Sequence, residues 1–434
     1  MKKTTTGRGE PVASRRGVLA GFGGALAAGA GGARAASAPA QVADAPASDK
    51  TQERQPFYGR RQAGIVTPRP AAGMIVAFDV LAMTPPEVEV LFRTLTSRIA
   101  FLTKGGVPPE ADPKFPPSDS GILGPIVTPD NLTMTVSLGA SFFLGRDWLA
   151  PRKPALLSAM TKFANDALDP AICHGDLVLQ ICANSTDATI HALRDILKNT
   201  PDLMVLRWKQ EGSVPVQQPR PDGVHESARN FLGFRDGTAN PDSREEALMD
   251  KIVWVGDGQG DSDWTNGGSY QVVRIVRNFV ERWDRTPLGE QERIIGRRKA
   301  TGAPFNGRVE TDLPSYADDP EGKKTRLDAH IRLANPRTEE ARANLILRRP
   351  FNYSNGVTKS GQLDQGLLFI AYQADLEKGF IFVQKRLDGE PLEEYIKPVG
   401  GGYFFALPGC VNETDFLGRS LLAAAGHVAT GFKP

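Results

Sequence analysis

GMIVAFDVLAMTPPEVEVLFRTLTSRIAFLTKG, residues 73–105, changes its period partway along. Residues 73–82 are a run of apolar and β-branched residues, the composition of a strand. Thr84 then stands where a helix N-cap belongs, proline follows at once, and apolar residues recur at helical spacing to Gly105. So a strand feeds a helix. The run NLTMTVSLG (131–139) alternates as a strand does, and DLVLQICAN (176–184) is another strand. TDATIHALRDILKN (186–199) has helical periodicity, and DLMVLRWKQEG (202–212) returns to strand. The order β-α-β-β-α-β is the ferredoxin-like pattern.

The second half repeats that order more faintly. SYQVVRIVRNFVERW (269–283) reads as a strand that turns helical. TPLGEQERIIGRRKATG (286–302) reads as a helix capped by Thr286 and stopped near Gly302. GLLFIAYQAD (366–375) is a strand, EKGFIFVQKRL (377–387) a helix and GGYFFALPG (401–409) a strand. The fold class expected is α+β, two ferredoxin-like domains with antiparallel sheets. The Pro-rich SVPVQQPRPDG (213–223) serves as connector, which sets the domains at 57–222 and 223–434. GDGQGDSDWTNGG (256–268) lacks the downstream acid of a calcium loop and the helix of a phosphate loop, so it reads as turns.

The 52 basic and 50 acidic residues nearly cancel and are well mixed, which argues against nucleic acid or an anionic membrane as partner. Cys173, Cys182 and Cys410 are too few and too scattered for a disulfide framework or a zinc site and are expected as buried free thiols. Ahead of the first strand, Arg15 and Arg16 precede Val18–Ala33, sixteen residues of only Gly, Ala, Leu, Val and Phe. That is short of the ~20 residues a membrane span needs, and no stable membrane insertion is expected. ARA (33–35) offers small residues for cleavage. Residues 1–35 resemble a twin-arginine export signal, with 36–56 a flexible leader. The destination expected is the periplasm, ahead of secretion to the medium.

Three side chains stand out in the second half. Asp236 lies in GFRDGTANP, His330 in DAHIRLANPR and Arg348 in LRRPFNYSNG. Each alone has an ordinary structural reading: an Asp-Gly turn, a lone histidine with a proline six residues later, and a surface arginine. Together they suit haem chemistry. Iron takes a neutral histidine as axial ligand. Cleaving a bound peroxide needs a carboxylate to move a proton and a guanidinium beside the developing charge.

GFRDG is similar to the G-x-x-D-G motif of the dye-decolorizing (DyP-type) haem peroxidases, and AHIRLANPR resembles their proximal-histidine segment. The resemblance runs from about residue 57 to the C-terminus. It implies one haem b per chain, with His330 the iron ligand, Asp236 the distal acid–base and Arg348 the distal arginine, Arg349 being the second choice. Gly237, Thr238 and Ala239, and likewise Asn335, Pro336 and Arg337, would lie against the haem, with Arg337 on a propionate. The implied function is an exported peroxidase that reduces hydrogen peroxide and oxidises dyes, phenols or porphyrinogens. Its alternative is a deferrochelatase that frees iron from haem beside an iron-uptake system. A homodimer is also implied. Free aspartate ionises near ~3.9, so an acid-side optimum is expected for turnover. Glu339 and Glu340 are the acids nearest the arginine, and neither can be placed against His330 from sequence. His225 is considered near the haem entrance, His174, His191 and His427 as structural, and Tyr353, Tyr372, Trp254 and Trp264 as surface electron acceptors.

Overall fold

The computed structural model describes residues 50–110, 112–215, 227–256 and 262–427. The export signal, the boundary at 222/223, His225 and part of the glycine-rich loop lie outside the described residues.

In the first half, β1 (Ala72–Val80) leads into the helix Pro85–Lys104, then β2 (Thr133–Gly139) and β3 (Leu177–Ala183). The helix Thr186–Asn199 and β4 (Met204–Ser213) complete it. The backbone N–H of Thr84 donates to Glu87 Oε2 at 2.9 Å, the reciprocal bond of a capping box. The strand order is β4-β1-β3-β2, antiparallel throughout. In the second half come β5 (Ser269–Asn278), β6 (Leu347–Arg348), β7 (Phe351–Val357), β8 (Leu363–Gln373) and β9 (Ile396–Ala406). Their order β9-β5-β8-β7 repeats the first, with the short β6 also on β8. Both halves are therefore ferredoxin-like.

The edges of the two sheets meet. β2 pairs with β9, and β4 meets β7 at Ser213 and Asn352, so eight strands close into a ring. Closure leaves β1 buried on both faces. Met74, Val76 and Phe78 pack outward against Val88, Leu91, Phe92 and Leu95 of the first helix. Ile75 and Ala77 point the other way, among Val178, Val273, Ile370 and Phe404 inside the ring. That is why residues 73–78 read as an unbroken apolar run instead of alternating. Cys173, Cys182 and Cys410 are free and buried.

Some expectations shift. The helix in 286–302 runs Leu288–Ile295, follows Pro287, and ends at Gly296, whose φ of 93° supplies the left-handed cap. Gly302 belongs to a later turn, its amide bonded to Arg298 O at 2.8 Å. The stretch 377–387 is helical but opens with a wide turn, Glu377–Ile381, kinked at Gly379. Strand β7 and the helix Glu246–Ile252 were not anticipated. Tyr353, Tyr372, Trp254 and Trp264 are all buried, so none is a surface contact for a donor. His191 is buried and bonded to Asp119 at 2.6 Å, and His427 meets Glu89 at 2.7 Å.

The β4–β7 seam depends on missing side chains. A Cβ at Gly73 would stand 2.4 Å from Phe351 Cζ, and one at Gly212 would stand 2.7 Å from Phe351 Cβ. Gly73→Val should therefore destabilise the protein by about 1–3 kcal/mol through overpacking. Urea unfolding measures this, and an unchanged midpoint would refute the seam's tightness.

Candidate active site

Asp236 is held by a hairpin built from its own segment. Arg229 and Arg235 bridge antiparallel, and Asp236 N donates to Ala228 O at 2.8 Å. The turn between them is tied by Asn230, whose Oδ1 accepts from Leu232 N at 3.1 Å and Phe234 N at 3.2 Å. Leu232 and Phe234 anchor the hairpin against Trp283, Ile294 and Ile295. Gly237 follows with φ 137°, a conformation that L side chains rarely adopt. The Asp-Gly pair is thus both a turn and an aiming device.

Arg348 comes from β6. Its Nη1 donates to Asp236 Oδ1 at 2.8 Å. Its backbone is gripped by Asn240, whose side-chain amide donates to Arg348 O at 3.0 Å and accepts from Arg348 N at 2.8 Å. The amide acts as a neighbouring strand of one residue. Sequence reasoning missed Asn240, although it lies four residues past Asp236 in the same quoted motif. Arg349 turns away: its N–H donates to Ile370 O at 2.8 Å and its side chain is buried. Adjacent residues of an extended segment point oppositely, so only Arg348 reaches Asp236.

His330 opens the short helix His330–Ala334, at an element end as its sequence context suggests. Arg386 Nη2 bonds Ala334 O at 2.8 Å, and Arg332 Nη1 bonds Thr325 O at 2.8 Å, fixing both flanks. A Cβ at Gly296 would lie 2.7 Å from Ile331, so that helix stop also makes room for this segment. His330 Nδ1 is 2.7 Å from Glu390 Oε2, and the Glu390 side chain is only 3% exposed. Burial pulls the imidazole down, but the charge and hydrogen bond of Glu390 outweigh it and raise the pKa above the ordinary histidine value. An ionised carboxylate only accepts, so Nδ1 carries the hydrogen and the neutral ring keeps its free lone pair on Nε2. Glu390 is the acidic partner that could not be placed from sequence. It lies sixty residues downstream in DGEPLEEY, whereas Glu339 pairs with the exposed Arg342 at 3.2 Å.

Asp236, Arg348, His330 and Glu390 line one cavity of about 300 Å3. Its remaining wall is largely apolar, with Leu232, Phe234, Ile331, Leu367 and Phe369. Gly237, Thr238, Ala239, Asn335 and Arg337 also line it, and Pro336 does not. Thr238 Oγ1 donates to Glu310 at 2.6 Å. Arg337 takes a left-handed backbone, φ 60°, stabilised by its N–H on Asn335 Oδ1 at 3.0 Å. Burial lowers the pKa of its guanidinium, and its buried Nε has no acceptor among the described residues. A largely apolar cavity with an imidazole nitrogen, a carboxylate–guanidinium pair and a second guanidinium fits a haem: iron, peroxide and propionate each find a partner type. Among the described residues no cluster of acidic, histidine or cysteine side chains offers a separate metal site.

The model for the Dyp-type peroxidase C-terminal domain matches residues 227–411, and that for the N-terminal domain matches 62–213. The chain is 56% identical over 421 residues to a deferrochelatase of Shigella sonnei, covering 97% of this chain and 99% of that protein. It is 60% identical over 375 residues to a deferrochelatase of Escherichia coli K12, covering 86% and 88%. Among solved structures, a DyP-type peroxidase from Cellulomonas bogoriensis superposes with TM-score 0.76 at 36% identity, covering 86% of this chain and 99% of that one. Ferric DtpA from Streptomyces lividans gives 0.76 at 32%, covering 87% and 100%.

Asn240→Leu would strand both backbone groups of Arg348. The expected loss is about 1–3 kcal/mol in urea unfolding, and an unchanged stability would show that the clamp carries nothing.

Proposed function

The chain belongs to the Dyp-type peroxidase family, and from that premise we propose an exported haem b peroxidase that reduces hydrogen peroxide at the cavity between Asp236 and His330. The observation that carries the reading is that one cavity joins an Asp236–Arg348 pair to a His330–Glu390 pair. Haem, when bound, supplies an iron that accepts the peroxide and the electrons that cleave it. His330 would hold the iron through Nε2, because Glu390 occupies Nδ1; the carboxylate also raises the basicity of the ring. Arg337, which lines the cavity, would hold a propionate, a guanidinium being suited to fork onto a carboxylate. Gly237, Thr238, Ala239 and Asn335 would contact the haem, with Leu232, Phe234 and Phe369 excluding water from its faces.

Asp236 takes the proton from the inner peroxide oxygen and returns it to the outer one, which leaves as water. Arg348 supplies positive charge beside the oxygen that accumulates electron density. Its bond to Asp236 orients the carboxylate before peroxide arrives. Donors are dyes, phenols or porphyrinogens. Export is by the twin-arginine route to the periplasm, with residues 1–35 removed, and the mature chain forms a homodimer.

A second reading rests on the deferrochelatases that match most of this chain. In it, the haem in the same cavity is the substrate, and its iron is released to an uptake system while the porphyrin stays intact. Asp236→Asn should slow peroxide consumption by ~10²-fold or more, with Arg348→Leu in parallel; an unchanged rate removes the acid–base assignment. Incubation with haem under reducing conditions separates the second reading. Fluorescent metal-free protoporphyrin is its expected product, and quantitative recovery of haem would exclude it.

A further inference from the structure

Asp236 is joined to the residues after it through Gly237, the residue type that restrains the backbone least. The hairpin fixes the chain before the carboxylate, by Asp236 N on Ala228 O. A fastening for the chain after it comes from outside the hairpin. Thr238 Oγ1 donates to Glu310 Oε1 at 2.6 Å, across 72 residues of sequence. The same carboxylate accepts from Ser227 N, 3.3 Å from each of its oxygens. Its Oε2 stands 3.7 Å from Arg235 Nε. One side chain therefore holds the start of the hairpin, the residue before Asp236 and the second residue after it.

Glu310 is itself anchored. It lies between the helices Leu288–Ile295 and His330–Ala334, in a segment with no helix or strand of its own. Arg297 is buried and donates Nη1 to Glu310 O at 3.0 Å and to Gly302 O at 2.7 Å. A Cβ at Gly302 would stand 2.8 Å from Arg235 Cγ and 3.1 Å from Glu310 Cγ, so the glycine lets those two side chains meet. The Glu310 side chain is only 12% exposed, and such burial is tolerated where hydrogen bonds and a cation compensate the carboxylate. It does not line the haem cavity. Its reach extends to both members of the Asp236–Arg348 pair. Asp236 lies two residues before Thr238, and Asn240, which grips the backbone of Arg348, lies two residues after it.

We propose that Glu310 is a positioning residue: its carboxylate, fastened to Thr238, Ser227 and Arg235, sets the angle at which Asp236 meets a ligand of the haem. This rests on the acid–base role given to Asp236 above. Proton transfer tolerates little displacement, and a shift of ~1 Å can cost ~10²-fold in rate. Glutamine at position 310 keeps an acceptor for Thr238, whereas alanine removes the acceptor of Thr238 and Ser227 together.

The test is the rate at which cyanide binds the ferric, haem-loaded protein near neutral pH, followed by stopped-flow haem absorption. Hydrogen cyanide arrives protonated and binds iron as cyanide, so a base at the site must take its proton, and no turnover is involved. Asp236→Asn sets the rate without that base. Glu310→Ala should slow binding at least ~10-fold with full haem content, and Glu310→Gln should recover most of the loss. A merely structural residue would lower the urea midpoint in Glu310→Ala and leave the cyanide rate unchanged, which overturns the proposal. Glu310→Gln as slow as Glu310→Ala also overturns it, because charge and not the tie to Thr238 would then matter. Should Glu310→Ala not fold, Thr238→Val removes the shortest of these bonds and should slow binding too; an unchanged rate there is equally decisive against the proposal. Failure of the acid–base reading looks different: Asp236→Asn would bind cyanide as fast as the unaltered protein, and the proposal would fall with it.

Discussion

Each ferredoxin-like sheet has two edge strands, and an open edge exposes backbone donors and acceptors that invite pairing with other chains. Here each half uses its edges on the other half: β2 on β9, and β4 on β7. The ring that results buries β1 on both faces and forces Phe351 onto the bare backbone of Gly73 and Gly212. It also fixes where chemistry can sit. Strand β6 pairs with the end of β8, so Arg348 is delivered to the rim, where the hairpin carrying Asp236 meets it. The site is outside the closed ring, between its strands and the short helices of the second half.

Two carboxylates at one cavity are given different tasks by their partners. Asp236 is bonded to the Arg348 guanidinium and lines the cavity wall, where a ligand can approach it. Glu390 is bonded to an imidazole and is nearly inaccessible, so it acts only through His330. The partners of both are held by hydrogen bonds. Asn240 locks the backbone of Arg348, while Arg386 and Arg332 lock the helix that begins at His330. Side chains pinned in this way need little reorganisation when charge develops.

The first half was legible because its elements carry strong local signals: a capped twenty-residue helix and strands bounded by turns. The second was less so. Its first crossover is broken into short helices, and β7 is interrupted in sequence by polar SNG, so neither has a period long enough to read. Asp236, His330 and Arg348 were visible as a set through their motifs. Asn240 was within the motif, but a clamp on another strand's backbone leaves no trace in spacing. Glu390 was hidden for the same reason, because a contact sixty residues away is a product of the fold. Tyr353, Tyr372 and Trp254 are buried in the core inside the ring and Trp264 in the core outside it, which residue type cannot report.

The account turns on His330 holding iron through Nε2 while Glu390 draws on Nδ1–H. Resonance Raman spectroscopy of the reduced, haem-loaded protein reads this bond directly. An iron–imidazole stretch should be present, should disappear in His330→Ala, and should fall in frequency in Glu390→Gln as the ring loses basicity. A spectrum without that stretch, or one indifferent to Glu390→Gln, would contradict the account.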